Sequence, residues 1–278
     1  LRCLIYGRSG VGKTVLMGTA ADVPEMSPVL IADIDHGLLS IADRDVDVVS
    51  IDHWSDLEDV ADFLTASDHK YRTLALDGWT AYYNLVIQER LQEPGRSNNE
   101  DPYVPGQRDY LHATYRIRLM LRRLKHSGIH QVHTALADVR EDEFSTATRT
   151  VPAMSRKLAL EISAEYDVVG LLRTRPRGRE IQRILEIQPS GGREAKYRTP
   201  FGRDLPSELI DPTIGLIFRR AIMGEDVPIK TPEVGEAKER IAVKYSGPEI
   251  SIAFNPGFLM APLKNLQSDE IYFEMTDE

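Results

Sequence analysis

Eight residues near the start of the chain constrain its fold more than any other feature. Gly7-Arg8-Ser9-Gly10-Val11-Gly12-Lys13-Thr14 fits the pattern G-x-x-x-x-G-K-[ST] at every position, after an apolar strand and before a predicted helix. Glycines let backbone N–H groups converge on phosphate oxygens without Cβ clashes, and the helix N-terminus adds partial positive charge. The sequence therefore predicts a phosphate-binding loop, called the P-loop below.

A second apolar strand ends in a carboxylate. The segment LALD, residues 74–77, has the Walker B form, in which Asp77 holds Mg²⁺ through water. Lys13 is expected to reach the β- and γ-phosphates of a nucleotide, and Thr14 to offer its hydroxyl to the metal. We therefore predict ATP and Mg²⁺ as ligands. The alternative for Asp77 is a cap on the next helix.

Strand and helix patterns alternate along the first half of the chain. This predicts an α/β fold with a mostly parallel sheet flanked by helices, and sites at the carboxyl ends of its strands. Two later strands are predicted to form a hairpin with Gly178 at its turn. The predicted strands are Arg2–Tyr6, Pro28–Asp33, Val46–Ile51, Arg72–Asp77, Ile129–Ala135, Val168–Thr174 and Ile181–Gln188, and the predicted helices are Lys13–Ala21, Asp56–Ala66 with Ser55 as N-cap, Thr80–Gln92 and Gln107–His126.

Bulk composition narrows the class of protein. The 278 residues are 42% hydrophobic and 28% charged, as in a globular protein with a real core. No run of about 18 apolar residues is present, so no membrane span is predicted. The single cysteine, Cys3, excludes a disulfide framework and favours a reducing, cytoplasmic setting. Because the chain begins with Leu1 inside a strand, we interpret it as a fragment without its native start.

The segment LIADIDHGLL, residues 30–39, resembles a segment of the RecA family in which a strand ends in Asp-x-Glu-His. The resemblance implies a RecA-like P-loop NTPase fold. It places Asp35 at the position of the glutamate that activates the attacking water, with a side chain shorter by one methylene. A carboxylate near a γ-phosphate can act as a base where geometry allows, and an acidic helix cap is the alternative.

A closer resemblance, over about Leu1–Ile217, is to phage-type RecA-like ATPases, an AAA-domain group that includes single-strand-annealing ATPases. The P-loop, the Asp-rich second strand, the Walker B strand and a late Lys-x-Arg carry it. In RecA and RadA relatives these two cations reach the ATP site of the neighbouring subunit. The resemblance therefore implies catalytic roles in trans for Lys196 and Arg198 and a homo-oligomer. A solvated pair at a strand end is the alternative.

A sensor strand is predicted at Val132–Leu136. The family often carries a polar residue where Leu136 stands, so Thr134 is the better sensor candidate. His133 points to the opposite face from Thr134 and is predicted to be a core or surface histidine.

Arginines on the predicted hairpin are the best candidates for contact with single-stranded DNA. Alternate residues at a strand end project to one face, and a basic row suits a phosphate backbone. By the resemblance, Tyr103 and Phe144 stand in loops that correspond to DNA-facing loops of RecA. The basic helix Gln107–His126 is interpreted as solvated, with a buried stripe of Leu111, Tyr115, Leu119 and Leu121. The predicted DNA-binding residues are Arg173, Arg175, Arg177 and Arg179.

The last part of the chain has a second resemblance. Residues 232–278 are similar to part of the last domain of the bacterial DNA polymerase III β sliding clamp, on the evidence of YSG, IAFN and LKNL. Such a partial domain leaves sheet edges unpaired and could not close a ring around DNA by itself. A natural fusion, a truncation and an assembly error are the three possible origins, of which we favour an artefactual or decayed fusion.

These patterns predict an ATPase domain over residues 1–223, a linker over 224–236 and the clamp-like segment over 237–278. The favoured function is a RecA-like ATPase that acts on single-stranded DNA in recombination or annealing. A nucleotide-binding module with weak hydrolysis and a clamp-related replication protein are the alternatives.

Overall fold

The computed structural model describes residues 1–66, 68–93, 101, 103–141, 148–178, 180–190, 192–198 and 206–230. The chain divides into two units, Leu1–Glu233 and Val234–Glu278. The predicted clamp-like segment, part of the predicted linker, Phe144 and Arg179 lie outside the described residues.

Strands and helices alternate from the start of the chain, as predicted. The strands are β1 Arg2–Gly7, β2 Val29–Asp33, β3 Asp47–Ser50, β4 Thr73–Asp77, β5 His130–Glu141, β6 Thr148–Pro152, β7 Val168–Arg177, β8 Glu180–Glu186, β9 Lys196–Tyr197 and β10 Glu208–Ile210. The α-helices are α1 Lys13–Gly18, α2 Trp54–Ala66, α3 Trp79–Gln92, α4 Gln107–Lys125, α5 Arg156–Glu161 and α6 Ile214–Phe218. Short 3-10 helices cover Thr19–Asp22, Leu38–Ile41 and Ile162–Glu165, and a π-helical turn covers Arg219–Met223.

In the described part of the chain the strands form one sheet in the order β10-β8-β7-β1-β5-β4-β2-β3, with β6 paired to β5 and β9 to β7. The pairs from β7 through β1, β5, β4 and β2 to β3 are all parallel. The pairs of β7 with β8 and of β8 with β10 are antiparallel. The predicted α/β fold with a mostly parallel sheet flanked by helices is confirmed.

Both faces of the sheet are covered, so its central strands are apolar on both sides. In β1, Leu4 and Tyr6 pack on the face covered by α2, α3 and α4, while Cys3 and Ile5 pack on the face covered by α1 and α6. The parallel strands end together on one edge, where the P-loop leaves β1. This arrangement places the loop at the carboxyl edge of the sheet.

The start of α2 differs from the prediction. The helix begins at Trp54, so Ser55 lies inside its first turn and is not the N-cap. The Asp56 carboxylate instead accepts hydrogen bonds from the backbone N–H groups of Asp52 and His53, at 2.9 and 2.7 Å. The acidic side chain in the first turn thus reaches back to N–H groups that precede the helix, as the acidic residue of a capping box does.

The buried stripe of α4 was predicted wrongly in three of its four positions. Leu111, Tyr115 and Leu119 are 62%, 62% and 44% exposed, and Leu121 is buried. The same helix carries a second apolar stripe at helical spacing, which shares Leu121 with the predicted one. This second stripe packs in the core with residues of α2 and α3. It consists of Ala113, Ile117, Met120, Leu121 and Leu124.

The predicted hairpin is present and longer than expected, since β7 runs to Arg177 and β8 starts at Glu180. Gly178 lies at its turn with φ of +60°, which favours glycine. The sequence patterns missed β6, β9, β10, α5 and α6, which are all short. Among the described helices, none combines the length and hydropathy needed to cross a membrane.

Candidate functional site

The P-loop joins β1 to α1 and depends on two glycines with left-handed backbone. Gly10 and Gly12 have φ of +76° and +95°, a region that L residues rarely adopt. The Lys13 Nζ donates to the carbonyl oxygens of Gly7 and Arg8, at 3.1 and 3.0 Å. Burial lowers the pKa of Lys13, and the carboxylates of Asp77 and Asp35 oppose that change. The loop therefore holds its lysine folded back over its own backbone.

Asp77 joins the P-loop to the predicted sensor strand. Thr14 Oγ1 donates to Asp77 Oδ2 at 2.6 Å, and Thr134 Oγ1 donates to Asp77 Oδ1 at 2.5 Å. A Cβ on Gly78 would lie 2.7 Å from Thr134 Oγ1, so the residue after Asp77 must be small. The structure thus brings together the two predicted metal-site residues, Thr14 and Asp77, and adds Thr134.

Asp35 lies beside Asp77 because the end of β2 is tied to the end of β4. Asp33 and Asp77 are paired in register, and the N–H groups of Ile34 and Asp35 donate to the Asp77 carbonyl at 2.9 and 3.3 Å. Burial raises the pKa of the Asp35 carboxyl, Asp77 adds to the increase, and Lys13 opposes it. The predicted base, metal site and lysine therefore share one electrostatic environment.

Asp33 gives the site a third carboxylate. Its side chain is buried, and its Oδ1 has no hydrogen-bond partner among the described residues. Burial raises the pKa of Asp33, and the nearby Asp77 adds to the increase. An unsatisfied carboxylate oxygen beside Asp77 fits a site that receives Mg²⁺ and its water ligands.

Lys196 and Arg198 lie near the amino ends of the parallel strands, at the edge of the sheet opposite the P-loop. Lys196 on β9 pairs with Val169 at the amino end of β7, and the Arg198 N–H donates to the Asp167 carbonyl at 3.0 Å. Lys196 Nζ donates to the carbonyl oxygens of Ser163 and Ala164, at 2.9 and 3.2 Å. The structure does not bring either cation to the P-loop of its own chain.

The predicted DNA-binding arginines of the hairpin are engaged by carboxylates. Arg173 pairs with Glu186 and Glu208 at 2.8 and 2.6 Å, and Arg175 pairs with Glu208 at 3.3 Å. Arg177 is exposed at the end of β7. Glu208 therefore offsets part of the positive charge that the predicted row presents.

His133 was predicted to be either a core or a surface histidine, and it lies in the core. Its Nδ1 accepts a hydrogen bond from the Tyr166 hydroxyl at 2.6 Å, and Trp79 Nε1 donates to that hydroxyl at 2.6 Å. Complete burial lowers the pKa of His133 to about 3.

Two other residues named in the sequence analysis are exposed. Leu136, at the position where the family often carries a polar residue, is 39% exposed, and Tyr103, in a loop that the resemblance places against DNA, is 88% exposed.

Arg183 on β8 lies against the P-loop, which sequence reasoning missed. A Cβ built on Gly12 would lie 2.4 Å from Arg183 Nε and 3.2 Å from its Cδ and Cζ. Nothing in the pattern of the hairpin distinguishes Arg183 from its neighbouring arginines. Its place depends on the strand order β8-β7-β1, which only the tertiary structure supplies.

Comparison with known families gives two matches. The AAA domain family matches residues 1–199, and the C-terminal domain of the DNA polymerase III beta subunit matches residues 227–278. A search of curated proteins found no match. Among solved structures, the chain is similar to a KaiC-like protein from the hyperthermophilic archaeon Pyrococcus horikoshii OT3. The identity is 14% and the TM-score 0.39, over 66% of this chain and 76% of the other.

Proposed function

The chain belongs to the AAA domain family, and on that premise we propose that it binds ATP and Mg²⁺ at the P-loop and hydrolyses ATP. The observation that carries the proposal is the contact of Asp77 with Thr14 and Thr134. It unites a phosphate-binding loop, a metal-binding carboxylate and a hydroxyl from the adjacent strand. That combination is what phosphoryl transfer requires, because catalysis rests on positioning and on electrostatic stabilisation.

Each residue has a definite role in this proposal. Lys13 exchanges the carbonyls of Gly7 and Arg8 for the β- and γ-phosphate oxygens, which are stronger acceptors because they are charged. Thr14 and Asp77 would hold Mg²⁺, which supplies neutralisation of phosphate charge when bound. Asp35 orients the attacking water and accepts its proton.

A second candidate is a nucleotide-binding protein with slow turnover. The length of the Asp35 side chain favours it, because an aspartate reaches less far than the glutamate of the RecA family. This candidate predicts tight ATP binding and slow, DNA-independent hydrolysis.

We further propose action on single-stranded DNA as a homo-oligomer. The resemblance to single-strand-annealing ATPases and the arginines of the hairpin support the DNA partner. Two observations support the oligomer. Lys196 and Arg198 lie away from their own P-loop, so a role in ATP hydrolysis needs a neighbouring subunit's site. The exposed stripe of Leu111, Tyr115 and Leu119 offers apolar surface for a subunit contact.

The domain boundaries also enter as proposals, with residues 1–223 as the ATPase domain, 224–236 as a linker and 237–278 as a separate segment. The match of residues 227–278 to a polymerase clamp domain supports a distinct origin for the end of the chain. The ATPase activity is assigned to the first domain alone.

An ATPase assay tests the proposal, run with and without single-stranded DNA over a range of protein concentrations. We expect DNA-stimulated hydrolysis whose specific rate rises with protein concentration. Lys13→Ala should abolish hydrolysis, because it removes the cation that faces the β- and γ-phosphates. Arg122→Gln, on the exposed side of α4, is the control for the loss of one positive charge. Unchanged turnover in Lys13→Ala would refute the assignment.

A further inference from the structure

We propose that Arg183 is a nucleotide ligand that acts within its own chain and binds the α- or β-phosphate of the nucleotide on the P-loop. The inference rests on the proposed ATP site and adds a residue to it. Neither the motif pattern nor the family match assigns a role to this arginine, which lies on a strand far from the P-loop in sequence.

Arg183 lies in contact with the P-loop. The Arg183 guanidinium occupies the space that a side chain on Gly12 would fill, with Nε 2.4 Å from an ideal Cβ there. Gly12 is the last residue before Lys13 and belongs to the backbone that cradles phosphate. An arginine held at this distance from the loop is within reach of an anion bound on it.

The second argument is anchoring. The backbone of Arg183 is fixed on both sides of its peptide by Asp211, whose Oδ1 accepts from the Arg183 N–H at 3.1 Å and whose N–H donates to the Arg183 carbonyl at 2.7 Å. Leu185, two residues on and on the same face, packs in the core beneath α1. The strand is rigid at this point, while the Arg183 side chain is exposed.

The charge of the Arg183 guanidinium is available to an anion. In the described part of the chain, no carboxylate pairs with the Arg183 guanidinium, whereas Arg173 and Arg193 nearby both pair with Glu186. An arginine without a counter-ion beside an anion-binding loop can form charge-assisted hydrogen bonds to phosphate at no cost in broken ion pairs.

The fourth argument is direction. Asp77 lies on β4, on one side of β1, and Arg183 lies on β8, on the other side. The magnesium end of the nucleotide, with its β- and γ-phosphates, is set by Thr14 and Asp77. Arg183 approaches the loop from the side away from these residues, so it meets the α- or β-phosphate and not the γ-phosphate. This position separates Arg183 from an arginine finger, which acts on the γ-phosphate.

The test compares ATP and ADP, which share the α- and β-phosphates and differ only in the γ-phosphate. We expect Arg183→Gln to raise the Kd of ATP and of ADP by about the same factor, roughly tenfold for one lost charge-assisted hydrogen bond. Arg183→Lys should retain part of the affinity. Arg122→Gln, which loses the same charge on the opposite face of the sheet, should change neither Kd. Melting temperatures check that each variant is folded.

Two results would overturn the inference. Unchanged affinity for both nucleotides in Arg183→Gln would show that Arg183 does not contact the nucleotide. Weaker binding of ATP with unchanged binding of ADP would show that Arg183 contacts the γ-phosphate instead. Failure of the proposed ATP site is a separate outcome, because there the unmodified protein would bind neither nucleotide.

Discussion

Lys13 and Lys196 make nearly the same local contacts at opposite edges of the sheet. Each donates to two consecutive backbone carbonyls, those of Gly7 and Arg8 for Lys13 and those of Ser163 and Ala164 for Lys196. Burial lowers the pKa of both lysines. Local hydrogen bonding therefore does not distinguish the lysine of the P-loop from the lysine at the amino ends of the strands.

The surroundings of the two lysines differ in the cations and the backbone beside them. Asp77 and Asp35 oppose the lowering of the Lys13 pKa, at a glycine-rich loop that can admit an anion. Lys196 also has two acidic neighbours, Asp167 and Glu165. However, Arg198 adds to the lowering of the Lys196 pKa, and the Lys196 amine donates to a 3-10 helix and not to a glycine-rich loop. The comparison teaches that acidic neighbours do not mark the functional edge unless an anion-binding loop accompanies them.

The largest predicted effect concerns the acidic neighbour on β4. Asp77→Asn keeps the shape of the side chain and removes the charge that holds Mg²⁺, which is worth several kcal/mol in the transition state. We expect kcat for ATP to fall by about 1,000-fold with little change in melting temperature. Steady-state kinetics over a Mg²⁺ titration measures it. A kcat within tenfold of that of the unmodified protein would contradict the proposed role of Asp77 in holding Mg²⁺.

The second predicted effect concerns Asp35. Asp35→Asn should lower kcat by at least about 100-fold, because it removes the general base. In the unmodified protein the base is active when ionised, so activity is present above its pKa and is lost as the pH falls through it. Since that pKa is raised above 3.8, we expect the acid limb of kcat to lie above pH 3.8. A pH–rate profile tests this, and an Asp35→Asn variant with normal kcat would favour another base.

The third prediction concerns the contribution of Lys196 to stability, at the amino ends of the strands. Lys196→Met should lower the free energy of unfolding by about 1 kcal/mol, because the Ala164 carbonyl loses the lysine donor and the Ser163 carbonyl keeps only the Tyr166 N–H. Lys157→Met is the matched control, since Lys157 on α5 is 75% exposed and its nearest carboxylate is 3.9 Å away. Urea denaturation measures both variants. Normal stability with reduced DNA-stimulated kcat in Lys196→Met would instead support the role in a neighbouring subunit.

The smallest predicted effect concerns the hairpin. Glu208→Gln releases Arg175 and leaves Arg173 paired with Glu186 alone, so we expect single-stranded DNA to bind a few-fold more tightly at low salt. The gain should disappear at high salt, where exposed charges are screened. Glu161→Gln, which removes an equal charge from the Arg118 pair on α5, is the control. An equal gain in both variants would show an effect of net charge alone.

Sequence patterns were most successful where the constraint is local. The P-loop, the Walker B strand and the alternation of β1 to β5 with α1 to α4 follow from motif spacing and apolar periodicity, which act within a few residues. The buried face of α4 was missed because two stripes compete there, and helix packing decides between them. Helix α2 was given a capping serine because serine and aspartate both satisfy helix N-termini.

The sequence by itself determined that a glycine-rich loop, a lysine and a carboxylate at a strand end would meet at the carboxyl edge of the sheet, where we propose a phosphate and metal site. It did so because these residues act through the backbone that carries them. Only the tertiary structure decided which distant residues join that site. Strand order places Thr134 on Asp77 and Arg183 on Gly12, and it removes Lys196 to the opposite edge. Contacts between strands remote in sequence depend on the packing of the whole sheet, which no local pattern encodes.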